Sequence, residues 1–155
     1  VARAYKEMFS GLYERPEEVL ATTFDLNHNE LVIVKNIDIF SVCEHHLLPF
    51  VGKASVGYIP NNNGQITGLS KLARLIDVYA KRPQVQERLT IQIANELKNI
   101  LNTEDVAVVI DAHHLCVSSR GVSDVNSSTI TAEYGGAFLI QEKREEFLKY
   151  ISLSI

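Results

Sequence analysis

The hydrophobic period of this chain switches from strand-like to helical and back, and that switch restricts the folds open to it. "LVIVKNIDIFSVC" and "VGKASVGYIP" are β-rich segments, and "NNNG" separates them from the next stretch, with Gly64 free to take a positive φ. From "QITGLSKLARLIDVYAKR" the period becomes helical: Leu72, Leu75, Ile76 and Tyr79 share one face, and Ser70 is placed to cap the N-terminus. Pro83 is expected at the first position of a second helix, with Val85, Leu89, Ile93, Leu97 and Ile100 as its buried stripe. "NTED" breaks that helix. "VAVVIDAHHLCVSSR" predicts a long strand, "STITAEYGGAFLI" its neighbour and "KREEFLKYISL" a closing helix. At the start, Val1, Tyr5, Met8 or Phe9, and Leu12 lie at helical spacing with Gly11 as the expected C-cap, and a polar connection leads on to residue 30. The order helix, two strands, two helices, two strands, helix predicts an α+β fold with a mainly antiparallel sheet.

A chain of 155 residues, 46% hydrophobic, suits one domain over residues 1–155. No apolar run approaches the roughly 18 residues of a membrane span. Neither an initiator Met nor a basic-then-apolar leader is present, and the natural N-terminus is expected to be missing. Two cysteines are too few for a disulfide framework, which favours thiol or metal chemistry in the cytoplasm. A formal charge of −4 argues against a general nucleic-acid surface, so any anion site must be a local cluster of cations.

Four of the five histidines fall in two adjacent pairs, His45-His46 and His113-His114, each with a cysteine within three positions. Cys43 and His46 form a C-x-x-H unit that reaches one centre if the backbone turns there, and Pro49 is expected to come after the end of that strand. Strand alternation through "VAVVIDAHHLCVSSR" puts His114, Cys116, Ser118 and Arg120 on one face and His113 on the other. Cys43, His46 and Cys116 would supply two thiolates and an imidazole to a tetrahedral Zn²⁺ whose fourth position stays open. Two thiolates make bound water less acidic than an all-histidine site does, so separate proton carriers are needed. His45 and His114 are placed to serve. The alternatives are a buried cysteine acting as a small hydrophobe and a nucleophilic cysteine paired with histidine. His113 and His28 read as surface or satisfied histidines.

Lys71 and Arg74 share a face at a helix N-terminus, which outlines an anion site or a solvated basic face. Glu87, in the first turn of the next helix, is either a partner for the helix dipole or, if it faces a pocket, an acceptor for the N1–H and exocyclic N–H donors of a guanine edge.

"CEHHLLPFVGKASVGYIP", "GLSKLARLIDVYAKRPQVQERLT", "HHLCVSSRGV" and "SSTIT", in this order, resemble GTP cyclohydrolase I over nearly the whole chain. The resemblance implies the tunnelling fold, in which subunits join their sheets into a barrel, and a homodecamer of two stacked pentamers with active sites at subunit interfaces. It implies conversion of GTP and water to formate and 7,8-dihydroneopterin triphosphate, the entry to folate and related pathways, without nucleic-acid or membrane partners. Carried over residue by residue, the zinc ligands fall on Cys43, His46 and Cys116. The proton-transfer residues fall on His45, acting on the attacking water, and His114, acting on N7. Gln86 and Glu87 hold guanine, and Lys71, Arg74 and Arg120 contact the triphosphate. Ser70 serves the later sugar rearrangement. Arg3 stands where the family has a phosphate-contacting lysine, and a further family arginine would precede Val1. Ser118-Ser119 and "AEYGG" also depart from the family pattern, away from the metal ligands. Nitrile reductases of the queuosine pathway need a cysteine nucleophile, and pyruvoyl-tetrahydropterin synthases use an all-histidine zinc. The pattern C-x-x-H…H-x-C suits neither, and the full ligand set with both free histidines counts against a non-catalytic oligomeric relative.

Overall fold

A computed structural model describes residues 1–19 and 22–154 of the chain. The elements run α1 (Ala2–Met8), α2 (Pro16–Val19), β1 (Thr23–Asp25), β2 (Val32–Cys43), β3 (Pro49–Tyr58), β4 (Gln65–Thr67), α3 (Leu69–Ala80), β5 (Pro83–Gln84), α4 (Gln86–Leu101), β6 (Val106–His114), α5 (Leu115–Ser118), β7 (Thr129–Tyr134) and α6 (Gln141–Ile151). Five strands form one sheet in the order β5-β2-β3-β6-β7, antiparallel except where β5 runs alongside the end of β2. The α+β expectation holds.

Alternation along β6 divides the interior in two. Val106, Val108, Ile110 and Ala112 are fully buried together with Leu72, Leu75 and Ile76 of α3 and Leu89, Ile93 and Leu97 of α4, which recur every fourth residue as the sequence predicts. Each of these large side chains contributes about 1.5–3 kcal/mol by leaving water. On the opposite face Ala107 packs with Phe138 and with Phe147 of α6, whose ring fills the space a Cβ at Gly57 would need. The helices α3 and α4 therefore back one face of the sheet, and α6 covers part of the other.

Several local expectations give way to tertiary contacts. Gly11 is not a helix cap. It lies in a 3₁₀ turn, Ser10–Tyr13, and its N–H donates to Lys81 O at 3.0 Å. A Cβ there would stand 1.9 Å from Val78 O, so the position requires glycine for close approach. The N-cap of α3 is Gly68, leaving Ser70 exposed in the first turn. Pro83 does not open a helix, because Val42 pairs with Pro83 and Cys43 with Gln84 as parallel strands, which delays α4 to Gln86. Pro49 does follow the end of β2 at Cys43, and it also begins β3, where it pairs with Val42. The connection before β2 contains α2 and β1, and β1 pairs with β4; its Leu20 and Ala21 lie outside the described residues. None of the residues of α1 is buried, so its apolar positions face outward in the single chain.

Candidate active site

The turn after β2 gathers the first two side chains that could hold a metal ion, Cys43 and His46. Cys43 N–H donates to Leu48 O at 2.9 Å, Leu47 N–H donates to Cys43 O at 2.8 Å, and Leu47 takes a left-handed φ of 53° to close the loop. The next N–H, from Glu44, donates to Gln84 O at 2.9 Å, which ties the turn to β5. Cys43 Sγ then lies 3.9 Å from His46 Nδ1 and 4.0 Å from His45 Nδ1.

Among the described residues, His46 rather than His45 joins Cys43 and Cys116 in one cluster, whose donor atoms all lie within 4.8 Å of one another. A zinc tetrahedron with bonds near 2.3 Å to sulfur and 2.0 Å to nitrogen has edges of about 3.5–3.8 Å, so small side-chain movements bring the three donors onto one centre. Burial, and next the neighbouring Cys43, push the Cys116 thiol up. A divalent cation between two such thiols reverses that shift, because coordination deprotonates them. The donor set thus suits a borderline-soft ion such as zinc.

Cys116 arrives by a route that alternation did not predict. The strand β6 stops at His114, and Leu115–Ser118 form a helical turn in which Ser119 N–H donates to Leu115 O at 2.8 Å. That turn swings Cys116 towards the end of β2. Arg120 comes just after it, exposed, with Nη1 donating to Cys116 O at 3.4 Å. His113 lies on the other face of the sheet, exposed, with Nδ1 3.0 Å from Ser127 O, in keeping with its reading as a satisfied histidine.

His114 is half-buried and stacks on Phe50, its cross-strand partner, at 4.6 Å between ring centres and 11° between planes. Burial holds its pKa below the ordinary imidazole value, while Glu87 acts to raise it. Glu87 is exposed in the first turn of α4, where unpaired N–H groups favour a carboxylate. Its neighbour Gln86 is only 2% exposed and turns inward, placing Oε1 2.6 Å from His114 Nε2. Its amide nitrogen is directed at the carbonyls of Ile110 and Thr129 in the sheet.

Lys71 and Arg74 line a separate pocket of about 460 Å³ with Glu14, Glu18 and Asp77 at the beginning of α3. The far end of the same helix leads into β5 beside Cys43. Lys71 precedes the last residue of α3, Ala80, by nine positions, about 13 Å along the helix axis. One chain thus assembles Cys43, His46, Cys116, His114, Glu87 and Arg120 at one end of the fold, and carries Ser70, Lys71 and Arg74 at the other. Arg3 lies exposed on α1.

Two contributors escaped sequence reasoning. Phe50 supplies the floor under His114, which the antiparallel register of β3 and β6 determines. Arg88 reaches from α4 to Glu44 inside the ligand turn, and no local pattern signals that contact.

Among the described residues no helix is long and apolar enough to cross a membrane. The family model for GTP cyclohydrolase I matches residues 1–152. The chain is 57% identical over 151 residues to GTP cyclohydrolase 1 of Streptomyces griseus, covering 97% of this chain and 75% of that one. It is 58% identical over 138 residues to GTP cyclohydrolase 1 of Thermobifida fusca, covering 89% and 67%. With GTP cyclohydrolase 1 of Flavobacterium johnsoniae it shares 54% over 150 residues, covering 96% and 66%. Among solved structures, the apo crystal structure of the archaeosine synthase QueF-Like superimposes with a TM-score of 0.56 at 20% identity, over 69% of this chain and 94% of that one. That likeness speaks for the fold alone, the tunnelling fold with its curled antiparallel sheet and backing helices. Taken with the family match over residues 1–152, these relatives show that the chain belongs to the GTP cyclohydrolase I family.

Proposed function

We propose that this chain, as one domain over residues 1–155, converts GTP and water to formate and 7,8-dihydroneopterin triphosphate, the first step towards folate and other pterins. The observation that carries the proposal is the convergence of Cys43, His46 and Cys116 within 4.8 Å, in a chain of this family. A zinc ion held by these three side chains supplies Lewis acidity. His45, exposed and 4.0 Å from the Cys43 sulfur, takes a proton from the attacking water. His114 delivers a proton to N7 as the imidazole ring opens. Glu87 accepts hydrogen bonds from guanine N1–H and the 2-amino group, and Lys71, Arg74, Arg120 and Arg3 hold the triphosphate. Ser70 serves the later sugar rearrangement.

The two ends of α3 bear on assembly. Ser70, Lys71 and Arg74 sit about 13 Å along the helix from the end that adjoins the thiols, so a complete site needs these residues from a second copy. Among the described residues the outer edge of β7 is unpaired, and β2 pairs on its β5 side only through Val42 and Cys43. Joining such edges around a ring gives the barrel of the tunnelling fold, and two stacked rings of five give a decamer with interfacial sites. The cytoplasm, where two free cysteines stay reduced, is the compartment this reading expects.

The test is metal analysis and a GTP-to-neopterin fluorescence assay on the same preparation. One zinc per subunit, with formate and pterin released in equal amounts, is the expected result. Fully metallated protein that releases no formate from GTP would overturn the reading.

A further inference from the structure

We propose that Gln86 is a positioning residue that pairs with an N–H on Nε2 of His114, so that Nδ1 is the nitrogen that takes up a proton from solvent, giving the imidazolium, and then delivers it to N7 of the substrate. The chemistry of this role rests on the proposed function, and its direction rests on hydrogen-bond pairing.

The amide of Gln86 has one orientation that its surroundings accept. Its Nε2 lies 2.9 Å from Thr129 O, 3.3 Å from Ile110 O and 3.1 Å from Thr131 Oγ1. Two of these partners are carbonyl oxygens, which only accept. Flipping the amide would set Oε1 against both carbonyls and leave buried acceptors unpaired.

The hydroxyl network agrees with this direction. Thr90 Oγ1 donates to Gln86 O at 2.8 Å, so its remaining contact, to Thr131 Oγ1 at 2.7 Å, must be accepted. Thr131 therefore spends its hydrogen on Thr90 and can only accept from Gln86 Nε2. With the amide nitrogen committed, Oε1 is what faces His114 at 2.6 Å, and an oxygen there requires a donor on the ring. The Nε2–H form meets that requirement, and the opposite tautomer would place two lone pairs against each other.

The stack on Phe50 fixes the ring plane, and the Gln86 contact fixes its rotation about the Cβ–Cγ bond. Gln86 is the first residue of α4, so the device links His114 at the end of β6 to the helix that carries Glu87. This explains why a buried polar side chain stands beside the base-recognising carboxylate. It also separates the two roles: Glu87 meets the substrate, and Gln86 acts through His114.

The test uses Gln86→Met, which keeps length and apolar volume but has no hydrogen-bond donor and only a weak sulfur acceptor, made in the parent and in a His114→Ala background. Zinc content and the KM for GTP are expected to stay within about 3-fold of the parent. The parent kcat should fall by roughly 10- to 100-fold, up to the lower end of what loss of a general acid costs. In the His114→Ala background the same change should cost nothing further, the non-additivity expected of residues acting as a unit. An unchanged kcat, or an equal loss in both backgrounds, overturns the proposal.

Should Gln86→Met fail to fold, the parent protein itself carries the test, because the pairing decides which ring nitrogen of His114 holds hydrogen. Nitrogen NMR of histidine-labelled protein then reads the His114 tautomer directly. Hydrogen on Nε2 in the parent is expected, and hydrogen on Nδ1 in the parent refutes the assignment. This readout needs no turnover, so a parent without GTP activity would sink the functional reading and leave the tautomer still measurable.

Discussion

Arg88 Nη2 lies 2.5 Å from Glu44 Oε2, joining the first turn of α4 to the loop that carries Cys43 and His46. The same guanidinium donates to Pro83 O at 3.1 Å and, through Nε, to Gln84 Oε1 at 3.2 Å. Its fork therefore braces the ligand turn and the short strand β5 together. The contact with Arg88 holds the Glu44 carboxyl below the usual carboxylate range.

Arg88→Ala is accordingly expected to loosen the turn without touching a metal ligand. Zinc affinity, measured by competition with a chelator, should fall by about 10- to 100-fold, the usual cost of losing a residue that orients ligands. Arg88→Lys should recover little, because a single ammonium cannot serve three acceptors in a planar fork. An Arg88→Ala protein with parental zinc affinity would show that the turn holds its shape without the brace.

Cys116→Ser should lose zinc and turnover together, since a hydroxyl is a far weaker ligand than a thiolate at this site. Metal content by mass spectrometry and formate release on one sample check both effects. Chelation of the parent should abolish activity, and added Zn²⁺ should restore it. Full metal and full activity in Cys116→Ser would remove this residue from the ligand set.

Glu87→Gln should impair GTP binding strongly, whereas Arg120→Ala should weaken GTP and ATP alike. Guanine presents N1–H and a 2-amino group, while adenine presents an acceptor at N1 and no 2-amino group. A site built on such pairing can reject the wrong base by a factor on the order of 10⁴. Affinities of GTP and ATP for both variants decide this, and unchanged GTP affinity in Glu87→Gln would reduce Glu87 to a partner of the helix dipole.

Gly11→Ala should destabilise the fold by about 1–3 kcal/mol or more through overpacking, because the new Cβ would meet Val78 O at 1.9 Å. For a chain of this size the thermal midpoint should drop by about 2–4 °C for each kcal/mol. Arg82 Nε also donates to Gly11 O at 3.0 Å, so separating the turn from α3 breaks that contact as well. An unchanged midpoint would mean that the 3₁₀ turn can move away from α3 freely.

The order of the long elements, the helix faces of α3 and α4, and the three side chains that could share a metal ion, Cys43, His46 and Cys116, were legible in the sequence by itself. Periodicity records which side of an element leaves water, and a C-x-x-H unit with a distant cysteine records a chemistry that packing does not ask for. What only the tertiary structure decided depends on partners far away in the chain. Pro83 became a strand residue because the end of β2 offered it a parallel neighbour, and Gly11 became a contact point because the end of α3 left no room for a Cβ. Cys116 reaches the site through a helical turn that alternation misread, and Gln86 turns inward because the carbonyls of β6 and β7 and the ring of His114 satisfy every polar atom it buries. Hydrogen-bond pairing and close approach act between residues that sequence spacing does not bring together, so they emerge only when the strands are in register.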